Sequence, residues 1–318
     1  MRLAAALGSR AGVAASTAGD DAAGLLRRAS AALVDAKEAD TGAIRVHAGE
    51  GDDGGLGGRL EIDLRRALDQ DEIEIVFQPQ VAVATGEIVG VEALARWEHP
   101  ERGLLAPDAF LSIADSLNVV PAIDEAVLDQ ALFQYTRWQA NDLRIPKVSV
   151  NVSCQRLRDE RLIAKLKALQ IQPGSVSFEL LESISFDSAD DGLRSAIDDI
   201  KALGIEIEID DFGTGHASIV SLLELSPRRL KIDRRLVMPI LGSPSQQQLV
   251  RSIIEIGRAR NIEIVAEGVE TMAHARMLRD LGCHTLQGYA FARPMSAETL
   301  LGFVRERAWM QAPRRDTA

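Results

Sequence analysis

From Glu61 onward, short runs rich in β-branched residues alternate with longer stretches in which apolar residues recur every three to four positions, the pattern of repeated βα units. Strands are predicted at 73–79, 88–94, 148–152, 176–181, 205–210, 229–232, 262–266 and 285–287, and helices at 121–140, 159–169, 188–203, 245–260, 271–281 and 297–307. The first two strands flank a Thr85-Gly86 turn, too short for a crossover helix, so they should pair antiparallel. The expectation is an α/β fold: a TIM-like (β/α)8 barrel with an antiparallel first strand pair, an open doubly wound sheet being the alternative.

The first sixty residues differ. They are small and alanine-rich, and the glycine-dense stretch 49–58 reads as a linker. Between Asp20 and Lys37, Leu25, Leu26, Ala29, Ala32 and Leu33 recur at helical spacing. One helix with a strand or two buries too little to stand alone. The expected division is a small α/β segment with its linker over 1–58 and a barrel domain over 59–318.

The side chains expected at the carboxyl ends of the strands are polar almost throughout. Glu92 lies near the end of the second strand, Asn151 in the third, Glu179 and Glu182 at the fourth, and Asp210-Asp211 close the fifth. The sixth brings Lys231 and Asp233, the seventh Glu267 and Glu270, the eighth Gln287. Any one carboxylate there has a plain reading as a helix cap or solvated loop residue. Recurrence on strand after strand is harder to explain that way, because in a barrel these ends converge on one mouth. Glu206 and Glu208 read instead as the ordinary outward face of a strand.

Oxygen donors without histidine or cysteine partners favour hard cations such as Mg²⁺ or Mn²⁺ over zinc. The five histidines form no H-x-H or H-x-x-x-H pair. A carboxylate-rich mouth with one lysine suits phosphodiester hydrolysis, in which cations bind phosphoryl oxygens and activate water. Composition narrows the partners: 36 Lys plus Arg against 47 Asp plus Glu give a net charge of −11, which disfavours a nucleic-acid polymer. Cys154 and Cys283 make neither a disulfide framework nor a C-x-x-C pair, which reads as a reducing, cytoplasmic setting. No apolar run reaches membrane-span length, and Gly8-Ser9-Arg10 cuts the opening apolar run short of a secretory core.

Val91-Glu92-Ala93-Leu94-Ala95-Arg96-Trp97 resembles the motif that names the EAL domain, the cyclic di-GMP phosphodiesterases of bacteria. Further motifs follow in the family's order: Gln78-Pro79, His99-Pro100, Ser149 to Ser153, Glu179-Leu180-Leu181-Glu182, DDFGTG from Asp210, Leu230-Lys231-Ile232-Asp233, Ala266 to Glu270 and Gln287-Gly288-Tyr289. The resemblance implies that Glu92, Asn151, Glu179 and Asp210 hold a first metal, and Asp210 and Asp211 with Glu267 a second. It assigns Lys231 to the attacking water, Glu267 to general-base work, and Gln287 to support of that water or a ligand. It gives substrate contacts to Gln78, Leu94, Arg96 and Asp233, and makes Glu182 and Glu270 supports for the glycine loop and neighbouring ligands. The implied partners are two Mg²⁺ or Mn²⁺ ions, cyclic di-GMP and a second copy of the chain. A receptor that binds without hydrolysing is the alternative. Leu181 stands where the family more often has threonine, and His216-Ala217 replace Tyr-Ser. The segment around Ala11-Gly12-Val13-Ala14 and residues 23–37 is similar to the last strand and helix of a GGDEF domain, without its cyclase signature.

Overall fold

A computed structural model of the chain describes residues 11–14, 29–30, 44–47, 56–143, 145–182, 191–213, 222 and 224–311. Two compact units divide it, Met1–Glu72 with His99–Val119 and Ile73–Glu98 with Val120–Ala318. In the first, strands β1 (Ala11–Ala14) and β2 (Ile44–His47) pair in parallel. A helix over Leu56–Asp69 begins inside the glycine-dense stretch, where composition pointed to linker. The helix expected between Asp20 and Lys37 lies almost wholly outside the described residues.

The second unit is built on eight strands: β3 (Ile73–Ala82), β4 (Ile88–His99), and, after the short β5 (Gly103–Leu105) of the first unit, β6 (Val148–Asn151), β7 (Val176–Leu181), β8 (Glu206–Phe212), β9 (Arg229–Ile232), β10 (Glu263–Ala266) and β11 (Thr285–Gln287). Neighbours run β3-β11-β10-β9-β8-β7-β6-β4, and β4 pairs back to β3, closing the barrel and excluding the open sheet. Only β3 runs against its neighbours, antiparallel to both β4 and β11. The remaining pairings are parallel.

Side chains alternate across a strand, so each strand offers one face to the barrel interior and one to the surrounding helices. Here the apolar positions take the outer face: Val148, Val150, Phe178, Leu180, Ile207, Ile209, Leu230, Ile232 and Ile264 are all buried. The intervening residues are polar and mostly buried too, including Gln78, Gln80, Glu92, Lys147, Ser149, Ser177, Glu179, Glu208, Asp210, Arg229, Lys231 and Gln287. Barrels more often fill their centre with branched aliphatic side chains. Glu208 is therefore not on a solvated face. It is fully buried, because it shares a strand face with Asp210 two residues on.

Helix starts follow local chemistry. The side chains of Ser153, Asp159, Asp233, Ser243, Thr271 and Ser296 each accept a hydrogen bond from a backbone N–H two or three residues on, satisfying donors that the first turn cannot. Gly288 follows Gln287 where the chain passes so close to Val269 that a Cβ would lie 2.3 Å from its backbone nitrogen. That contact needs glycine.

Candidate active site

The Lys231 ammonium, on β9, is fully buried at the centre of four carboxylates supplied by β4, β7, β8 and the end of β10. Its Nζ lies 2.7 Å from Glu179 Oε2, 2.7 Å from Glu267 Oε1, 3.2 Å from Asp210 Oδ1 and 3.3 Å from Glu92 Oε2. One ammonium cannot neutralise four carboxylates, and the surplus shows at Glu179, Glu267 and Asp210, whereas burial would raise Glu92 but Lys231 and Gln287 hold it below its ordinary value. Burial, joined by Glu92, pushes Glu179 well above the usual carboxylate range. Burial pushes Glu267 the same way, with Asp210 and Glu92 adding to it against the pull of Lys231. Lys231 itself is raised: burial opposes its charge, but Asp210, Glu179, Glu267 and Glu92 together outweigh that cost.

Asn151 joins the group from β6, its Nδ2 donating to Glu92 Oε1 at 3.1 Å and to Glu179 Oε2 at 3.4 Å. Gln287 from β11 donates to Glu92 Oε2 at 2.5 Å and to Gln78 Oε1 at 3.2 Å. Asp211, whose φ of 56° lies in the left-handed region, is half-buried beside Asp210, and burial together with Asp210 pushes its carboxyl up to about 7. Asp233 caps the helix Arg234–Val237 and pairs with Arg235 at 2.7 Å; burial would raise it, but its bonds to Arg235 hold it below its ordinary value.

Two sets of acidic oxygens, Glu92 with Glu179 and Asp210, and Asp210 with Asp211 and Glu267, each lie within 4.8 Å of one another. Glu179 Oε1 is buried without a hydrogen-bond partner. An orphaned anionic oxygen, an all-oxygen donor set and uncompensated negative charge fit hard divalent cations.

A cleft of about 200 Å³ borders the cluster, lined by Gln78, Glu92, Leu94, Glu267, Glu270, Gln287 and other residues including Arg234, Met238 and Tyr289. Arg96 lies two residues beyond Leu94 on the same strand face, half-buried, with Nη1 donating to the Ala95 carbonyl at 2.7 Å. Glu182 is buried, and its backbone N–H donates to the Asp210 carbonyl at 3.0 Å. Glu92, Asn151, Glu179, Asp210, Asp211, Lys231, Glu267 and Gln287 are thus brought together, with Gln78 and Leu94 at the cleft. His216, Ala217 and the end of the glycine loop lie outside the described residues.

The EAL domain family model matches residues 61–294. The chain belongs to the EAL domain family. It is 38% identical over 246 residues to the bifunctional diguanylate cyclase/cyclic di-GMP phosphodiesterase MucR of Pseudomonas aeruginosa, covering 76% of this chain and 36% of MucR. It is 32% identical over 289 residues to the cyclic di-GMP phosphodiesterase PdeR of Escherichia coli, covering 88% of this chain and 42% of PdeR. The chain therefore spans less than half the length of either relative. Among solved structures, the PaMucR phosphodiesterase in complex with c-di-GMP superposes with a TM-score of 0.71 at 36% identity, covering 76% of this chain and 99% of that one. The EAL enzyme Bd1971, bound to cAMP and cyclic di-GMP, gives 0.72 at 31% identity, covering 78% and 69%.

Sequence reasoning missed the polar groups deeper in the EAL barrel. Lys147 contacts Glu208 and lies 3.3 Å from Glu206, while Arg229 lies 3.7 Å from Glu208 and 3.0 Å from Glu263. The signal was present in the two-residue spacing of Lys147, Ser149 and Asn151, and of Arg229 and Lys231. Those positions share a strand face with the mouth residues.

Proposed function

We propose that this chain is a cyclic di-GMP phosphodiesterase that opens its substrate to linear pGpG with two Mg²⁺ or Mn²⁺ ions. The observation that carries the reading is the set of four carboxylates around the buried Lys231 beside an open cleft. Glu92, Asn151, Glu179 and Asp210 would hold one cation, and Asp210, Asp211 and Glu267 the other. Bound there, the cations supply Lewis acidity toward the phosphoryl oxygens and the nucleophilic water.

The chain's own residues do the rest. Lys231 donates a hydrogen bond to the attacking water and fixes its direction. Glu267, whose burial favours protonation, takes the proton that the water loses as its oxygen bonds to phosphorus. The bond from phosphorus to the 3′ oxygen breaks opposite, and that oxygen leaves with a proton from solvent. Gln287 steadies Glu92 and the water site. Gln78, Leu94 and Arg96 contact the substrate, the guanidinium suiting a phosphate oxygen. Asp233, Glu182 and Glu270 hold the surrounding loops, Asp233 also facing substrate.

The reading extends to a homodimer formed through helices beside the Asp211 loop, a cytoplasmic location, a division at 58/59 and a GGDEF-derived segment before it. The parallel pair β1–β2 supports that last point. No helix among the described residues is long and apolar enough to cross a membrane. The test is cyclic di-GMP with Mg²⁺ or Mn²⁺ and purified protein, following pGpG. Turnover above a Glu92→Ala control is expected. Tight nucleotide binding with no turnover would make the chain a receptor instead.

A further inference from the structure

Three glutamines and one arginine form a single hydrogen-bonded chain across β3, β11 and β9. Arg229 Nη1 donates to Gln80 Oε1 at 3.5 Å, and Gln80 Nε2 donates to Gln287 Oε1 at 3.0 Å. Gln287 Nε2 then donates to Glu92 Oε2 at 2.5 Å and to Gln78 Oε1 at 3.2 Å, while Gln78 Nε2 donates to the Ala292 carbonyl at 3.0 Å. A side-chain amide can turn either end toward a neighbour, so its orientation is set by groups that lack the choice. All the chain's ends lack it. A guanidinium only donates, and a carboxylate and a backbone carbonyl only accept. With Arg229 at one end and Glu92 and Ala292 at the other, every amide between them has one orientation in which all contacts are satisfied.

We propose that Gln80 and Arg229, neither of which lines the cleft, are positioning residues that lock the Gln287 amide with its NH₂ toward Glu92. Gln80 is fully buried, so an unmatched amide end there has no water to turn to. The backbone makes room for it. Gly90 stands opposite Gln80 in the β3–β4 register, where a Cβ would come within 3.2 Å of Gln80 Oε1. The locked amide hands Glu92 a strong donor on Oε2 and leaves Oε1 facing Asn151. The lower part of the barrel is thereby tied to a carboxylate of the mouth through directed bonds alone.

The catalytic consequence rests on the phosphodiesterase reading; the orientation itself does not. Two substitutions separate the possibilities. Gln80→Glu keeps size and the Arg229 contact but presents only acceptors, so Gln287 Oε1 loses its donor and the amide is drawn to turn its NH₂ away from Glu92. Gln80→Met cuts the relay without adding charge. Hydrolysis kinetics, thermal midpoints and the side-chain amide resonances of Gln287, assigned through Gln287→Glu, are measured for wild type and both variants. A fall in kcat of about tenfold for Gln80→Glu and less for Gln80→Met is expected, with KM held within about twofold. The Gln287 amide protons should move upfield in Gln80→Glu as the short bond to Glu92 is lost. Arg229→Lys, which still only donates, should retain most of the wild-type kcat. Unchanged Gln287 resonances in Gln80→Glu would overturn the proposal, as would a loss of kcat that merely follows a lowered thermal midpoint. A wild-type protein without turnover would end the phosphodiesterase reading and leave the resonance test to decide the relay.

Discussion

Two layers of charge in one barrel, each centred on a buried carboxylate, behave in opposite ways. In the lower, Lys147, Arg228 and Arg229 meet Glu206, Glu208 and Glu263, three cations against three carboxylates. Burial would raise Glu208, yet Lys147 and Arg229 beside it hold it below its ordinary value. In the upper, four carboxylates share Lys231, and equally buried Glu179 is pushed far the other way. Glu208 and Glu179 are equally buried, so the difference between them lies in charge balance. The lower layer is balanced in charge, although Glu208 Oε2, like Glu179 Oε1, is buried without a hydrogen-bond partner. The upper one lacks positive charge, which divalent cations would bring.

The sharpest break in this comparison comes from removing one charge in each layer. Glu179→Gln should lower cyclic di-GMP hydrolysis by at least about a hundredfold, yet raise the thermal midpoint of cation-free protein, since it replaces a carboxyl whose ionised form burial and Glu92 disfavour with a neutral group of the same shape. Glu208→Gln should do the reverse, leaving Lys147 and Arg229 short of a partner. A buried pair broken this way costs about 3–5 kcal/mol, lowering the midpoint by roughly 5–15 °C, while turnover of the folded fraction changes little. A destabilised Glu179→Gln would show that the upper layer is balanced after all.

Metal addition should separate the layers next. Mg²⁺ should raise the wild-type midpoint and raise that of Glu92→Ala less, since only the Asp210, Asp211 and Glu267 set is then intact. Proton linkage sharpens the same point. Asp211 has its carboxyl raised to about 7, so its protonated form is favoured on folding. Its contribution to stability is therefore most favourable below the ordinary aspartate range and declines as pH rises toward 7. Cation binding there must release a proton, so apparent Mn²⁺ affinity by calorimetry should increase from pH 6 to pH 8 more steeply in wild type than in Asp211→Asn. The smallest effect concerns Cys283. Burial pushes its thiol up to about 12, so alkylating reagents at pH 8 should leave it unlabelled in native protein and modify it only after denaturation.

Strands at 176–181, 229–232 and 285–287 were legible to the residue because each is a short apolar alternation with a turn on either side. β4 runs five residues past its expected end, through Trp97 to His99, since charged residues there share a strand with buried partners. The helix Leu56–Asp69 was hidden by Gly57 and Gly58, which composition alone assigns to linker. At the mouth, the ligand-type residues were legible from their recurrence at strand ends. Glu208 was misread because alternating polar positions ordinarily face water, and in this barrel the inner face is the polar one. Gln80 gave no signal of its own and Arg229 only its two-residue spacing from Lys231, since what matters about them is which end of an amide they oppose.

The most direct test of the charge-balance account is the thermal midpoint of wild type, Glu179→Gln and Glu208→Gln, measured side by side at neutral pH without divalent cations. The account predicts Glu179→Gln above wild type and Glu208→Gln well below it. Both variants falling below wild type by similar amounts would contradict it.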